Sequence, residues 1–230
     1  MLQACILQDI EKLNKFSSGP IPSHQRRCPA VSKLLKYPSS DDYFNFEIQQ
    51  LLDNQPYRIL YLAKTPDKQY VLIKFARRYS IELHHFCAKS GYAPQILAFE
   101  RLPGGWCAVA MEYIQPGIPI ACSTLLVVHQ DCWAEELQRL VDSFHLEGFV
   151  HGDLRDTNIL CKEDSVMSVD FDWGGKDGEV FSPTGNLNHE LREGRKNDSR
   201  ITKEDDKRIL NKTLAKLWAI HPNNCRFNPE

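Results

Sequence analysis

The run His151-Gly152-Asp153-Leu154-Arg155-Asp156-Thr157-Asn158 sets a carboxylate and a carboxamide five positions apart, and Asp170-Phe171-Asp172 begins twelve residues after Asn158. A carboxylate can take up or orient the proton of a hydroxyl, and carboxylate and amide oxygens are the hard donors that magnesium-type cations accept. The bland alternative is a turn, because Asp and Asn side chains commonly bond nearby backbone there. The pattern H-x-D-x-x-x-x-N arises by accident at roughly one position in ten thousand on average composition.

The surrounding elements must hold these residues. Asp131 to Glu147 predicts a helix, with Trp133, Leu137, Leu140, Val141 and Phe144 at helical spacing. Two short β runs, Ile159–Cys161 and Val166–Phe171, follow the His151–Asn158 run and are joined by Lys162-Glu163-Asp164-Ser165. Upstream, Tyr57–Ala63 and Tyr70–Ala76 predict a hairpin around Thr65-Pro66-Asp67-Lys68. Gln95–Arg101 and Trp106–Ile114 predict a second hairpin around Pro103-Gly104-Gly105. Ser80–Lys89 reads as a helix between them, with Ser80 as N-cap and Gly91 as its stop. The first forty residues hold a short amphipathic helix (Ile6, Ile10, Leu13) and a turn-rich stretch from Ser17 to Pro29. A polar stretch runs to about Arg200, and a last helix spans roughly Thr202–Ala219. Strands come first and helices second, the order of an α+β protein.

Composition narrows the function classes. The chain has 230 residues and a net charge of −2, so it lacks the basic field that neutralises a phosphate backbone, and no nucleic-acid partner is expected. No apolar stretch reaches membrane-spanning length and no export signal precedes residue 20, so neither a membrane nor secretion is implied. The eight cysteines are scattered without a C-x-x-C pair, which argues against structural zinc. A cytoplasmic protein with unpaired, mostly buried thiols is expected.

The constellation around Asp153 and Asp170 resembles the catalytic loop and metal-binding triplet of the protein-kinase-like superfamily. The resemblance implies a two-lobed α+β fold, with a β-rich N-lobe (57–114), a reduced helical C-lobe (115–230) and an N-terminal extension (1–56). It also implies phosphotransfer from ATP with Mg2+, in which Asp153 is the base, Asn158 and Asp170 hold metal and His151 is structural. Val71-Leu72-Ile73-Lys74 resembles the V-A-I-K strand, which makes Lys74 the lysine on the α- and β-phosphates. Glu82, the one acidic residue between Lys74 and Gly91, is then its ion-pair partner; a first-turn Glu also simply favours the helix dipole. Val109-Ala110-Met111-Glu112-Tyr113-Ile114 resembles the strand entering the hinge, with Met111 behind the nucleotide pocket and the backbone of Glu112 and Ile114 bonding adenine.

The sequence departs from that family in three places. Leu51–Tyr57, where a glycine-rich loop would lie, contains no glycine, so backbone amides cannot approach phosphates there in the usual way. Asp172 replaces the glycine of the triplet and is either a second metal ligand or a surface acid. The 58 residues after Asp172 contain no A-P-E run and one convincing helix, too little for peptide-docking helices. Gly152 and Asp172 are similar to the aminoglycoside and choline kinase branch, and the run also looks like small kinase-like proteins of fungi. The competing class is a pseudokinase, a nucleotide-binding scaffold without turnover. The acceptor is a hydroxyl of a protein or of a small molecule, and the loop from Ser182 to Arg200 either helps to bind it or is a connector.

Overall fold

Along Tyr70–Ala76 the side chains alternate, so Val71, Ile73 and Phe75 join one buried cluster and Leu72 and Ala76 join another. Lys74 shares the second face. That alternation organises the molecule, because the first face is covered by strands and the second by helices. The computed structural model describes residues 31–38, 41–55, 58–115, 117–123, 125–162, 165–182, 191 and 200–220. The expected helix around Ile6, Ile10 and Leu13, the 17–29 stretch and most of the 182–200 loop lie outside the described residues.

A short antiparallel pair, β1 (Lys33–Leu35) and β2 (Tyr43–Asn45), precedes an antiparallel five-stranded sheet. The sheet contains β3 (Glu47–Gln55), β4 (Arg58–Lys64), β5 (Tyr70–Ala76), β6 (Ile96–Leu102) and β7 (Trp106–Glu112), in the order β3-β4-β5-β7-β6. Both predicted hairpins are present. Residues 33–35, 43–45 and 47–55, in contrast, are strands within what the sequence predicts as an irregular extension through residue 56. EIQQLLDNQ carries one β-branched residue, Ile48, and four side-chain amides, so pairing with β4 rather than intrinsic preference makes it a strand. Leu34 and Phe46 then close over Ile59, Tyr61, Ile73 and Phe75 on the outer face.

Helix α1 (Ile81–Lys89) crosses between β5 and β6, and α2 (Leu126–Leu146) follows a short strand, β8 (Ile118–Pro119). Helix α2 begins five residues before the predicted start because Leu126 is fully buried, which outweighs the poor helix preference of Val127 and Val128. Beyond it lie β9 (Phe149–Val150), the antiparallel pair β10 (Ile159–Lys162) and β11 (Ser165–Ser168), β12 (Gly175–Lys176) and helix α3 (Lys203–Ile220). At the start of α3, Asp205 Oδ2 accepts both the backbone N–H of Thr202 at 3.1 Å and its hydroxyl at 3.2 Å, one half of a capping box. Trp133, Leu137, Leu140, Val141 and Phe144 of α2 pack with Ile209, Leu210, Leu214 and Leu217 of α3 in the second cluster.

Five cysteines, Cys87, Cys107, Cys122, Cys132 and Cys161, are free thiols, and Cys122 and Cys132 are exposed rather than buried. Burial pushes Cys87 and Cys161 up to about 12, so they remain protonated. Cys5, Cys28 and Cys225 lie outside the described residues. Among the described residues no helix is long and apolar enough to cross a membrane.

Candidate active site

The His151–Asn158 loop is fastened from α3. Asp206, fully buried, accepts the backbone N–H of His151 and of Gly152 at 2.7 Å each, and His145 Nε2 lies 3.2 Å from the same carboxylate. Three donors on one carboxylate make a strong, charge-assisted anchor. Gly152 is required for it, with φ +82° and with any Cβ only 2.8 Å from Ile201 Cδ1. His151 bridges onward: its Nδ1 accepts the Asp153 N–H at 3.3 Å and its Nε2 meets Ser168 Oγ at 2.9 Å. Burial holds its pKa below the usual histidine range, so it serves as a neutral structural link.

The Asp170-Phe171-Asp172 triplet is set by Phe171. Its ring stacks on His84 of α1, with centroids 4.5 Å apart and planes 12° off parallel, and also meets Tyr79 and His151. His84 is fixed in turn: Nδ1 bonds the Tyr79 hydroxyl at 2.7 Å and Nε2 bonds Pro94 O at 2.8 Å. Since Pro94 O only accepts, Nε2 carries the proton. Ser80 occupies the N-cap position without a side-chain cap; its backbone N–H instead donates to Phe171 O at 3.0 Å. Asp170 itself adopts φ +69°, rare for a non-glycine residue, which ends the strand at Ser168 rather than at Phe171.

Around that turn the charges alternate. Arg58 Nε lies 2.9 Å from Asp53 Oδ2 and its Nη1 2.5 Å from Asp170 Oδ2, while Lys74 Nζ lies 2.6 Å from both Asp170 Oδ1 and Asp172 Oδ1. Burial would strip Lys74 of its proton, but Asp170 and Asp172 overcome that and raise its pKa. Asp170 is held well below the ordinary carboxylate range: the Lys74 and Arg58 charges outweigh its burial. Asp172 moves the other way, because burial and the Asp170 charge exceed the help from Lys74. The Lys74–Asp172 contact is a buried ion pair. Asp172 is 8% exposed, which removes the surface-acid alternative.

In the neighbouring loop Arg155 grips both Asp153 oxygens, with Nε at 2.5 Å and Nη2 at 2.7 Å. Asn158 Nδ2 donates to Asp153 O at 3.0 Å, so Oδ1 is the atom that Asn158 can offer a cation. Asn158 O accepts the Val169 N–H at 2.9 Å, which ties the loop to the residue before Asp170.

Lys74 and Asp170 are thus brought together, and Asp153 with Asn158 sits alongside. Glu82 is not brought to Lys74. It lies exposed in the first turn of α1, while Ile81, Leu83, His84 and Cys87 turn inward, and its charge is felt by Tyr37. Asp172 stands where that partner was expected. Met111 is buried on β7 opposite Leu72, Glu112 donates its N–H to Gln95 O at 2.9 Å, and Ile114 is buried just beyond the strand. Arg58, Asp53, Asp206 and His84 escape sequence reasoning, since nothing local marks their partners.

Comparison with solved structures identifies the architecture. A kinase of Cydia pomonella granulovirus, PK-1, matches with a TM-score of 0.59 and 13% sequence identity, over 75% of this chain and 70% of that one. The fold is that of a protein kinase. The β3–β7 sheet with α1 forms its β-rich lobe, and α2, α3 and the His151–Asn158 loop belong to its helical lobe. No protein-family model matches the chain, and no curated protein matches it in sequence.

Proposed function

We propose that the protein is an ATP- and magnesium-dependent phosphotransferase that moves the γ-phosphate to a hydroxyl of a protein or a small molecule. The observation that carries this reading is the meeting of Lys74 with Asp170, next to the loop that holds Asp153 and Asn158. The donor set suits the ion: Asp170 and Asn158 offer hard oxygens of the kind magnesium prefers. Mg-ATP supplies the transferable phosphoryl group with its charge partly neutralised.

The chain's own residues would do the rest by positioning and charge. Lys74 holds the α- and β-phosphates and is kept charged by Asp172. Arg58, at the start of β4, turns from Asp170 to the phosphates and so supplies the grip that glycine-loop amides give elsewhere. Met111 backs the adenine, and the backbone of Glu112 and Ile114 bonds its edge. Asp153 orients the acceptor hydroxyl and receives its proton. Glu82, exposed and remote from Lys74, has no part in this scheme. Gly152 and Asp172 support a place near the aminoglycoside and choline kinase branch and small fungal kinase-like proteins, and the scattered free thiols fit a cytoplasmic setting.

A pseudokinase is the second reading, favoured by one feature: both oxygens of Asp153 and both of Asp170 are bound by cationic side chains. ATP turnover separates the two. The phosphotransferase consumes ATP with magnesium and loses that activity in Asp153→Ala, whereas a pseudokinase binds Mg-ATP without turnover.

A further inference from the structure

Beside the catalytic loop lies a cavity of about 210 Å³ lined by Arg155, Ile209, Lys212, Thr213 and Lys216. Four of these residues come from α3 at positions i, i+3, i+4 and i+7, one face of the helix. Thr213 pins that face to the loop, its hydroxyl donating to Leu154 O at 3.0 Å. Three of the five lining residues are cations and none is acidic. The nearest loop acids serve to hold those cations: Lys216 Nζ lies 2.9 Å from Asp156 Oδ2, and Arg155 spans from the cavity to both oxygens of Asp153. The volume is below the 300–1,000 Å³ of drug-sized sites and suits a single anionic group.

We propose that this cavity is the acceptor site and that the acceptor carries an anionic group, a phosphate or a carboxylate, near the hydroxyl that is phosphorylated. The inference rests on the phosphotransferase reading and names its substrate class. An anion in the cavity competes with Asp153 for the Arg155 guanidinium, which forms its best bidentate contacts with phosphate and carboxylate alike. Drawing Arg155 away frees Asp153 for the hydroxyl, so the acceptor completes the site that uses it. In the transfer step the acceptor oxygen bonds to the γ-phosphorus, the bond from that phosphorus to the β,γ-bridging oxygen breaks, and ADP departs. The hydroxyl proton passes to Asp153.

Two measurements on the full chain test the site, and only one depends on catalysis. The first is titration with inorganic phosphate at constant ionic strength, followed by the amide resonances of Leu154, Lys212 and Thr213. Saturable shifts are expected, weakened at least tenfold in Lys212→Glu/Lys216→Glu. Unmoved resonances, or equal affinity in that variant, overturn the inference. The second is phosphate transfer from Mg-ATP to glycerol 3-phosphate, to a serine peptide flanked by glutamates, and to glycerol and a lysine-flanked serine peptide as counterparts. At least one anionic acceptor should exceed its counterpart tenfold or more, and which one does so distinguishes a small phosphorylated alcohol from an acidic protein segment. The double variant should lose that preference while keeping its thermal stabilisation by Mg-ATP; preference for the uncharged or basic acceptors overturns the inference. Failure of the wild type to respond to Mg-ATP would instead sink the phosphotransferase reading, with the phosphate titration still reporting on the cavity.

Discussion

Asp206 of α3 accepts the backbone N–H of His151 at 2.7 Å, joining positions 55 apart in the chain. The same carboxylate holds Gly152 and His145, so α3 and the His151–Asn158 loop are one mechanical unit. Asp206→Ala strands two buried backbone donors and should lower unfolding stability by about 2–6 kcal/mol, at roughly 1–3 kcal/mol for each unsatisfied donor. Chemical denaturation checks this. Asp206→Asn should also destabilise, because its amide presents a donor where the protein offers only donors.

Phe171 touches three rings and is 1% exposed. Phe171→Ala should cost about 3–5 kcal/mol, as truncation of a buried aromatic does. Phe171→Leu should cost less in stability yet still loosen the turn at Asp170. In a Mg-ATP titration Phe171→Leu is therefore expected to bind more weakly than wild type while remaining folded.

On the phosphotransferase reading, Arg58 takes the part of a glycine-rich loop. Arg58→Ala removes a cation shared by Asp53 and Asp170. Nucleotide affinity measured calorimetrically in the presence of magnesium should fall roughly ten- to a hundredfold, the value of one to two charge-assisted hydrogen bonds. Arg58→Lys should recover only part of it, since an ammonium cannot reproduce the guanidinium fork.

His84 gives the fold an acid-sensitive point. Burial lowers its pKa to about 3, against an ordinary value near 6.5. A group depressed in this way contributes stability that is present above pH 6.5 and lost as pH falls from there toward 3. The loss should reach a few kcal/mol, at about 1.4 kcal/mol per pH unit. His84→Gln should be less stable at neutral pH and should show a flatter acid limb when melting temperature is followed from pH 7 to 4.

The nearness of Asp153, Asn158 and Asp170 is legible because the loop and triplet are local in sequence, whereas their roles come from the kinase resemblance. Lys74 is singled out by the resemblance of Val71–Lys74 to the V-A-I-K strand, and strand alternation puts it on the face of Leu72 and Ala76. Glu82 was not, because the inward face of α1 includes a histidine: with His84 buried against Phe171, Glu82 turns to solvent. Arg58 meets Asp170 across 112 positions, a contact that no periodicity reveals. Residues 47–55 were missed as a strand because their amide-rich composition hides what β4 imposes.

The most direct test of the central claim is the thermal unfolding of wild type and Asp170→Ala, each with and without Mg-ATP. A ligand that binds only the folded chain stabilises it by about 2.7 kcal/mol at one hundred times its dissociation constant. The Mg-ATP phosphotransferase reading predicts that wild type is stabilised when nucleotide and magnesium are both present and that Asp170→Ala is not. A wild type indifferent to Mg-ATP, or an Asp170→Ala that responds equally, would contradict it.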